Sequence, residues 1–124
     1  DALACFHCAG GSDHHVVAFG KSDRPGFHHA SFEIANIDHI GVGAQRLLDK
    51  GYADGWGLGR HVIGSNYFHY VRDPWNGLIE FFSDIDYIPE QTDWSPKDWP
   101  EKDSLYLWGP DVPPDFIVNY EAAS

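Results

Sequence analysis

FHHASFEIA, residues 27–35, is a run of alternating character that reads as a β-strand. It places two histidines, His28 and His29, side by side, so one points toward the core and the other away. The next segment, IDHIGVGAQRLLDKGY (37–52), puts Ile37, Ile40, Leu47 and Leu48 at helical spacing. Asp38 is its expected N-cap and Gly51 its expected C′ residue, while Gly41 and Gly43 weaken it. Three strand candidates follow: DGWGLGRHV (54–62), NYFHYVRDP (66–74) and GLIEFFSDI (77–85). The link DPWNG has the composition of a hairpin turn. Residues 27–85 therefore read strand, helix, strand, strand, strand, an α+β arrangement.

Working outward, LACFHCAG (3–10) and HHVVAFGK (14–21) read as two strands joined by GGSD. SDRPG (22–26) connects them to the module. Beyond Pro89 the chain changes character. QTDWSPKDWPEKDS is rich in Pro, charge and Trp, and is expected to wrap the surface in an ordered way. LYLWGPDVPPDF (105–116) is expected to dock back on the body.

The chain has 124 residues, enough for one domain, and 43% hydrophobic and 15% aromatic content mark it as globular. A net charge of −11 argues against nucleic acid and against an anionic membrane surface as partners. No apolar run approaches membrane-spanning length, and no signal-like start is present. Cys5 and Cys8 form a C-x-x-C pair that falls on a strand, where positions three apart face opposite sides. Reduced thiols and a cytoplasmic location are the expectation. Methionine is absent and Asp1 stands first, which suggests that the N-terminus is not a natural start.

Chemistry is concentrated in polar residues on otherwise apolar strands: His15, His28 or His29, His61, His69 or Tyr70, and Glu80. Glu80 is the most telling, because Ile79 and Phe81 flank it and an unpaired buried carboxylate costs several kcal/mol (roughly). One reading turns Glu80 to solvent on the polar face of the sheet and makes each histidine a hydrogen-bonded core residue. The other buries Glu80 against a metal. Two histidines and a carboxylate form the facial set that holds non-haem Fe(II) with open coordination positions.

These motifs resemble the type I extradiol ring-cleavage dioxygenases of the vicinal oxygen chelate superfamily. FHHASFEI resembles the strand in which the second of two adjacent histidines binds iron, here His29. GRH followed by YFHYVRDPWNGLIEFF resembles the family's closing signature, with nine residues from His61 to Tyr70 and ten from Tyr70 to Glu80. The resemblance implies a βαβββ module with a mixed, curved sheet and one main helix, preceded by strands of a partial second module. It divides the chain into 1–24, the end of that partial module; 25–88, a complete module; and 89–124, a tail packed on the body. It implies His29 and Glu80 as ligands of Fe(II), with Mn(II) suited to the same donors. His15, fourteen residues before His29, corresponds to the catalytic acid/base. His61 and Tyr70 correspond to residues that bind the substrate oxygens and assist catalysis. A catecholic substrate and O₂ would be the reactants. By strand alternation His28 faces away from His29 and serves a structural or supporting role, and His69 faces away from Tyr70.

The resemblance leaves a third metal ligand to be found, expected upstream or from another chain; His7 is the sole candidate by type. The chain is accordingly expected to be the C-terminal portion of a larger enzyme, or to complete its site in a homo-oligomer, and to be inactive alone if a ligand is missing. Two alternatives belong to the same superfamily. A metal-free, resistance-type binding module needs the concave sheet but not His15, His61, Tyr70 and Glu80 in register. A glyoxalase-like metalloenzyme uses Glu80 but has little need of His15 and Tyr70.

Overall fold

In a computed structural model, residues 3–100, 102 and 104–121 are described. Asp1, Ala2, Glu101, Asp103 and the final three residues lie outside them. The elements run β1 (Leu3–Phe6), β2 (Ser12–Asp13), β3 (Val17–Gly20), β4 (His29–Glu33), α1 (Ile37–Asp49), β5 (Asp54–Arg60), β6 (Tyr67–Arg72), β7 (Leu78–Ser83) and β8 (Tyr87–Ile88). The body is a four-stranded sheet in the order β4-β7-β6-β5. β4 lies parallel to β7, and β7, β6 and β5 are antiparallel neighbours. The fold is the expected α+β module with a mixed sheet and one helix. Its strands are shorter than the sequence runs, because pairing stops where the loops turn away.

Helix α1 packs across β5, β6 and β7. Ile40 and Ala44 are buried there, and Gly43 brings the helix close to the Phe81 ring. Its N-cap is Asn36 rather than Asp38: the Asn36 side chain accepts from the His39 N–H at 3.0 Å. Asp38 instead sits in the first turn, where its charge complements the helix dipole. Gly51 takes the positive φ (88°) that ends the helix, as expected of a C′ glycine. The DPWNG turn closes β6 onto β7. The Asp73 carboxylate accepts from the N–H groups of Trp75 and Gly77 at 2.9 and 2.8 Å.

Strand alternation gives the sheet two unlike faces. His69, Val71 and Phe81 face the helix. Phe68, Tyr70, Leu78 and Glu80 face the other way. On that second face Trp56, Phe68, Tyr70, Leu78 and Phe116 form the main buried cluster. Phe116 comes from the tail, so residues 105–116 do return to the body. Trp108 pairs with Arg60 at the β5 edge, with Arg60 N–H donating to the Trp108 carbonyl at 2.9 Å. That approach requires glycine: a β-carbon on Gly59 would lie 2.6 Å from the Phe68 ring and 2.9 Å from the Trp108 carbonyl oxygen.

β1 and β3 form a separate antiparallel ribbon, exposed along most of its length. The pairing of β2 with β8, and a 2.6 Å bond from His14 N–H to the Asp86 carbonyl, tie it to the body. Cys5 lies on β1, but Cys8 falls beyond the strand end. Both are free thiols, and burial raises the Cys5 pKa. No helix among the described residues is long and apolar enough to cross a membrane.

Candidate active site

The helix-free face of the sheet opens into a cleft of about 2830 Å³ between the body and the β1–β3 ribbon. Its floor holds the polar residues singled out from the sequence. Register explains how they meet. Tyr70 on β6 stands opposite Glu80 on β7, and Ser31 on β4 stands beside Glu80 from the other side. His29, two residues before Ser31, shares that face. His61 follows β5 and leans in from the sheet edge.

Glu80 is the centre of the group and is only 5% exposed. His29 Nε2 lies 3.5 Å from Glu80 Oε2, and His61 Nε2 lies 3.4 Å from Glu80 Oε1. Ser31 donates a short hydrogen bond to Oε2. The side-chain N–H of Asn66, itself buried, reaches Oε1 at 3.4 Å. Burial alone would raise the Glu80 pKa. The imidazoles of His29 and His61 beside its two oxygens and the hydrogen bond from Ser31 outweigh it and hold the carboxyl well below the usual range. Glu80 is therefore a buried carboxylate, not the solvent-facing residue of the alternative reading.

Tyr70 is 4% exposed and lies edge-on to His29, with ring centroids 5.2 Å apart. Burial, then the Glu80 charge and a hydrogen bond with it, keep the phenol protonated far above its ordinary range. His61 Nδ1 donates to the Leu105 carbonyl at 2.6 Å. That bond turns Nε2 toward the Tyr70 hydroxyl at 3.2 Å and toward Glu80. His61 also stacks on Phe68 at 4.0 Å, which fixes the ring plane. His15, between β2 and β3, hangs over Gly64: a β-carbon there would stand 3.2 Å from its ring. Burial first, then His14, lowers its pKa, while the Glu80 charge opposes them. The structure thus brings His15, His29, His61, Tyr70 and Glu80 to one cleft.

His28 does not face away from His29. It precedes β4, so strand alternation does not govern it. Its Nε2 reaches the Phe116 carbonyl at 2.6 Å and its Nδ1 reaches His29 Nδ1 at 2.6 Å. Burial lowers its pKa, partly offset by the bond to Phe116. His69 does face away from Tyr70 and meets Asp54 at 3.0 Å. Ser31, Asn66 and Phe116 were missed in the sequence. Ser31 was findable, since it lies two residues from His29 on the same strand. Phe116 was not, because its place depends on the path of the tail.

The donor chemistry fits a divalent metal in part. Two donors, an imidazole nitrogen and a carboxylate oxygen, face each other across a gap that no protein hydrogen fills unless His29 is protonated. Among the described residues, no group of three His, Cys, Asp or Glu side chains stands close enough to hold a metal ion.

The βαβββ sheet thus carries a buried carboxylate among imidazoles on its open face. The family model of the Glyoxalase/Bleomycin resistance protein/Dioxygenase superfamily matches residues 6–81, and the chain belongs to that superfamily. It is 50% identical over 122 residues to metapyrocatechase 2 of Cupriavidus necator, covering 98% of this chain and 38% of that protein. It is 33% identical over 104 residues to the manganese-dependent 2,3-dihydroxybiphenyl 1,2-dioxygenase of Geobacillus genomosp. 3, covering 80% of this chain and 33% of that one. Among solved structures, the Mn(II)-bound glyoxalase of Novosphingobium aromaticivorans superposes with a TM-score of 0.71 at 28% identity, over 90% of this chain and 40% of that one. The chain spans well under half the length of these relatives.

Proposed function

We propose that this chain carries most of the active site of a metal-dependent extradiol dioxygenase that opens a catecholic ring with O₂. The observation that carries the reading is Glu80, a buried carboxylate ringed by His29, His61, Ser31 and Tyr70 on the open face. The two relatives above, named a metapyrocatechase and a 2,3-dihydroxybiphenyl 1,2-dioxygenase, agree with it.

In this reading His29 and Glu80 would hold Fe(II) or Mn(II). The remaining ligand would come from upstream or from another chain. A metal bound there would supply Lewis acidity toward the substrate's oxygens. The chain's own residues do the rest. His61 Nε2 and the Tyr70 hydroxyl sit 3.2 Å apart and form a donor–acceptor pair for the substrate hydroxyls. Tyr70 keeps its proton, so it can donate to a substrate oxygen that has lost one. His15, whose pKa burial lowers, stands on the ribbon side as the acid/base that moves a proton during ring opening.

The same reading takes residues 1–24 as the end of a preceding module, 25–88 as the complete one, and 89–124 as a tail packed on the body. The exposed ribbon supports this, because a two-stranded sheet alone is marginal in water and needs further layers.

The test is anaerobic loading with Fe(II) or Mn(II), then catechol and air, following O₂ uptake and the yellow ring-opened product. Glu80→Gln is expected to abolish turnover, and His15→Ala to slow it by about 10²- to 10⁴-fold. Uptake that is indifferent to Glu80→Gln would refute the assignment. The Mn(II)-bound glyoxalase likeness supports a second reading, isomerisation without O₂. Turnover of a hemithioacetal in the absence of O₂ would favour it.

A further inference from the structure

His28 has no part in the chemistry above, yet it makes two short bonds. Its Nε2 stands 2.6 Å from the Phe116 carbonyl oxygen, and its Nδ1 stands 2.6 Å from Nδ1 of His29. A carbonyl oxygen only accepts, so the proton of that bond belongs to His28 Nε2. A neutral His28 then has only a lone pair at Nδ1. The bond to His29 therefore needs its proton on His29 Nδ1. In a neutral His29 that leaves Nε2 bare, and Nε2 is the atom that faces Glu80 Oε2.

We propose that His28 is a positioning residue: a relay from the Phe116 carbonyl through His28 holds His29 as its Nδ1–H tautomer and aims the Nε2 lone pair into the cleft. A lone pair facing a carboxylate is unfavourable by itself and becomes favourable around a cation, so the relay prepares the pair for a metal. Histidine ligands are commonly oriented in this way by what their other nitrogen touches.

The far end of the relay is well anchored. Phe116 is buried, and its ring meets His28, Trp56 and Tyr70 with centroids 4.9, 4.8 and 5.0 Å apart. On one side of it, Asp115 accepts from the buried Arg72 guanidinium at 2.7 Å and from the Tyr120 hydroxyl at 2.9 Å. On the other, the Pro110 carbonyl accepts from the Trp56 indole at 2.9 Å. The C-terminal segment thus reaches the site through a backbone carbonyl. Were His28 unable to accept, the His29 proton would move to Nε2, where it meets Glu80 and blocks the lone pair.

The inference rests on the metal reading for its purpose but not for its geometry. The experiment labels histidine with ¹⁵N in the full chain and reads the ring nitrogens of His29 by NMR, without metal. Mn(II) affinity is measured separately from the signal of the free ion. In the unaltered protein His29 is expected to be protonated at Nδ1. His28→Phe is expected to move that proton to Nε2 and to weaken Mn(II) binding by about 10- to 100-fold. His28→Asn, whose side-chain oxygen can accept near the Nδ1 position, is expected to retain the tautomer and most of the affinity. A His29 tautomer that is the same in His28→Phe overturns the relay. If that variant does not fold, a folded His28→Asn with its His29 proton on Nε2 overturns it equally. A relay intact by NMR in a protein that binds no Mn(II) would leave the positioning role standing and remove the metal reading instead.

Discussion

The four-stranded sheet and the β1–β3 ribbon are built from similar residues and end in opposite states. On the sheet, Phe68 is fully buried between Trp56, His61 and Tyr70. On the ribbon, Phe19 touches Phe6 edge-on at 5.7 Å and remains 65% exposed. Strand-forming composition makes both elements. Only the sheet has a second layer on each face, the helix on one and the tail-capped aromatic cluster on the other. Apolar residues stabilise in proportion to the surface they remove from water, so the same residue type has a very different worth in the two places.

The largest expected effect breaks this comparison at the sheet. Phe68→Ala opens a cavity beneath His61 and is expected to cost about 3–5 kcal/mol, read as a fall in the denaturation midpoint. Phe19→Ala in this chain should change stability by less than about 0.5 kcal/mol, since little surface is lost. In a longer protein that pairs further strands with the ribbon, Phe19→Ala should instead approach the cost of a core truncation. A ribbon that stays insensitive there would contradict the covering module. A smaller effect belongs to the helix that makes the sheet two-layered. Asn36→Ala removes the N-cap bond to His39 and should cost about 1 kcal/mol. Asp38→Ala should cost less, which separates the observed cap from the one expected.

Much of this was legible in the sequence where the pattern is local. The strand–helix–strand–strand–strand order and the DPWNG turn follow from period and turn chemistry alone, whereas the choice of Tyr70 over His69 and the inward Glu80 came from the family resemblance. The ten-residue step from Tyr70 to Glu80 places them as register partners, because an antiparallel pair around a short turn pairs positions equidistant from it. What failed was non-local or sat at a boundary. His28 was misassigned because alternation was extended one residue past the start of β4. The Asn36 cap was missed because two capping residues lie two positions apart and only the backbone path chooses between them. Leu105 and Phe116, whose carbonyls orient His61 and His28, lie more than forty residues from their partners in the chain, and no periodicity reports such contacts.

The smallest expected effect sharpens the comparison from the helix side. α1 carries two glycines where alanine would be the better helix former. They are not equivalent. A β-carbon on Gly43 would meet the Phe81 ring at 3.4 Å, so this glycine sets how closely the helix approaches the sheet. A β-carbon on Gly41 would meet nothing within 4 Å. Gly41→Ala should therefore stabilise the protein by about 0.5–1 kcal/mol, through reduced freedom of the unfolded chain and better helix propensity. Gly43→Ala should gain less, because the same propensity gain is set against a tightened contact with β7. Equal gains at the two positions, measured by chemical denaturation, would mean that the helix can shift off the sheet freely. The layer on that face would then be looser than its buried Ile40 and Ala44 imply.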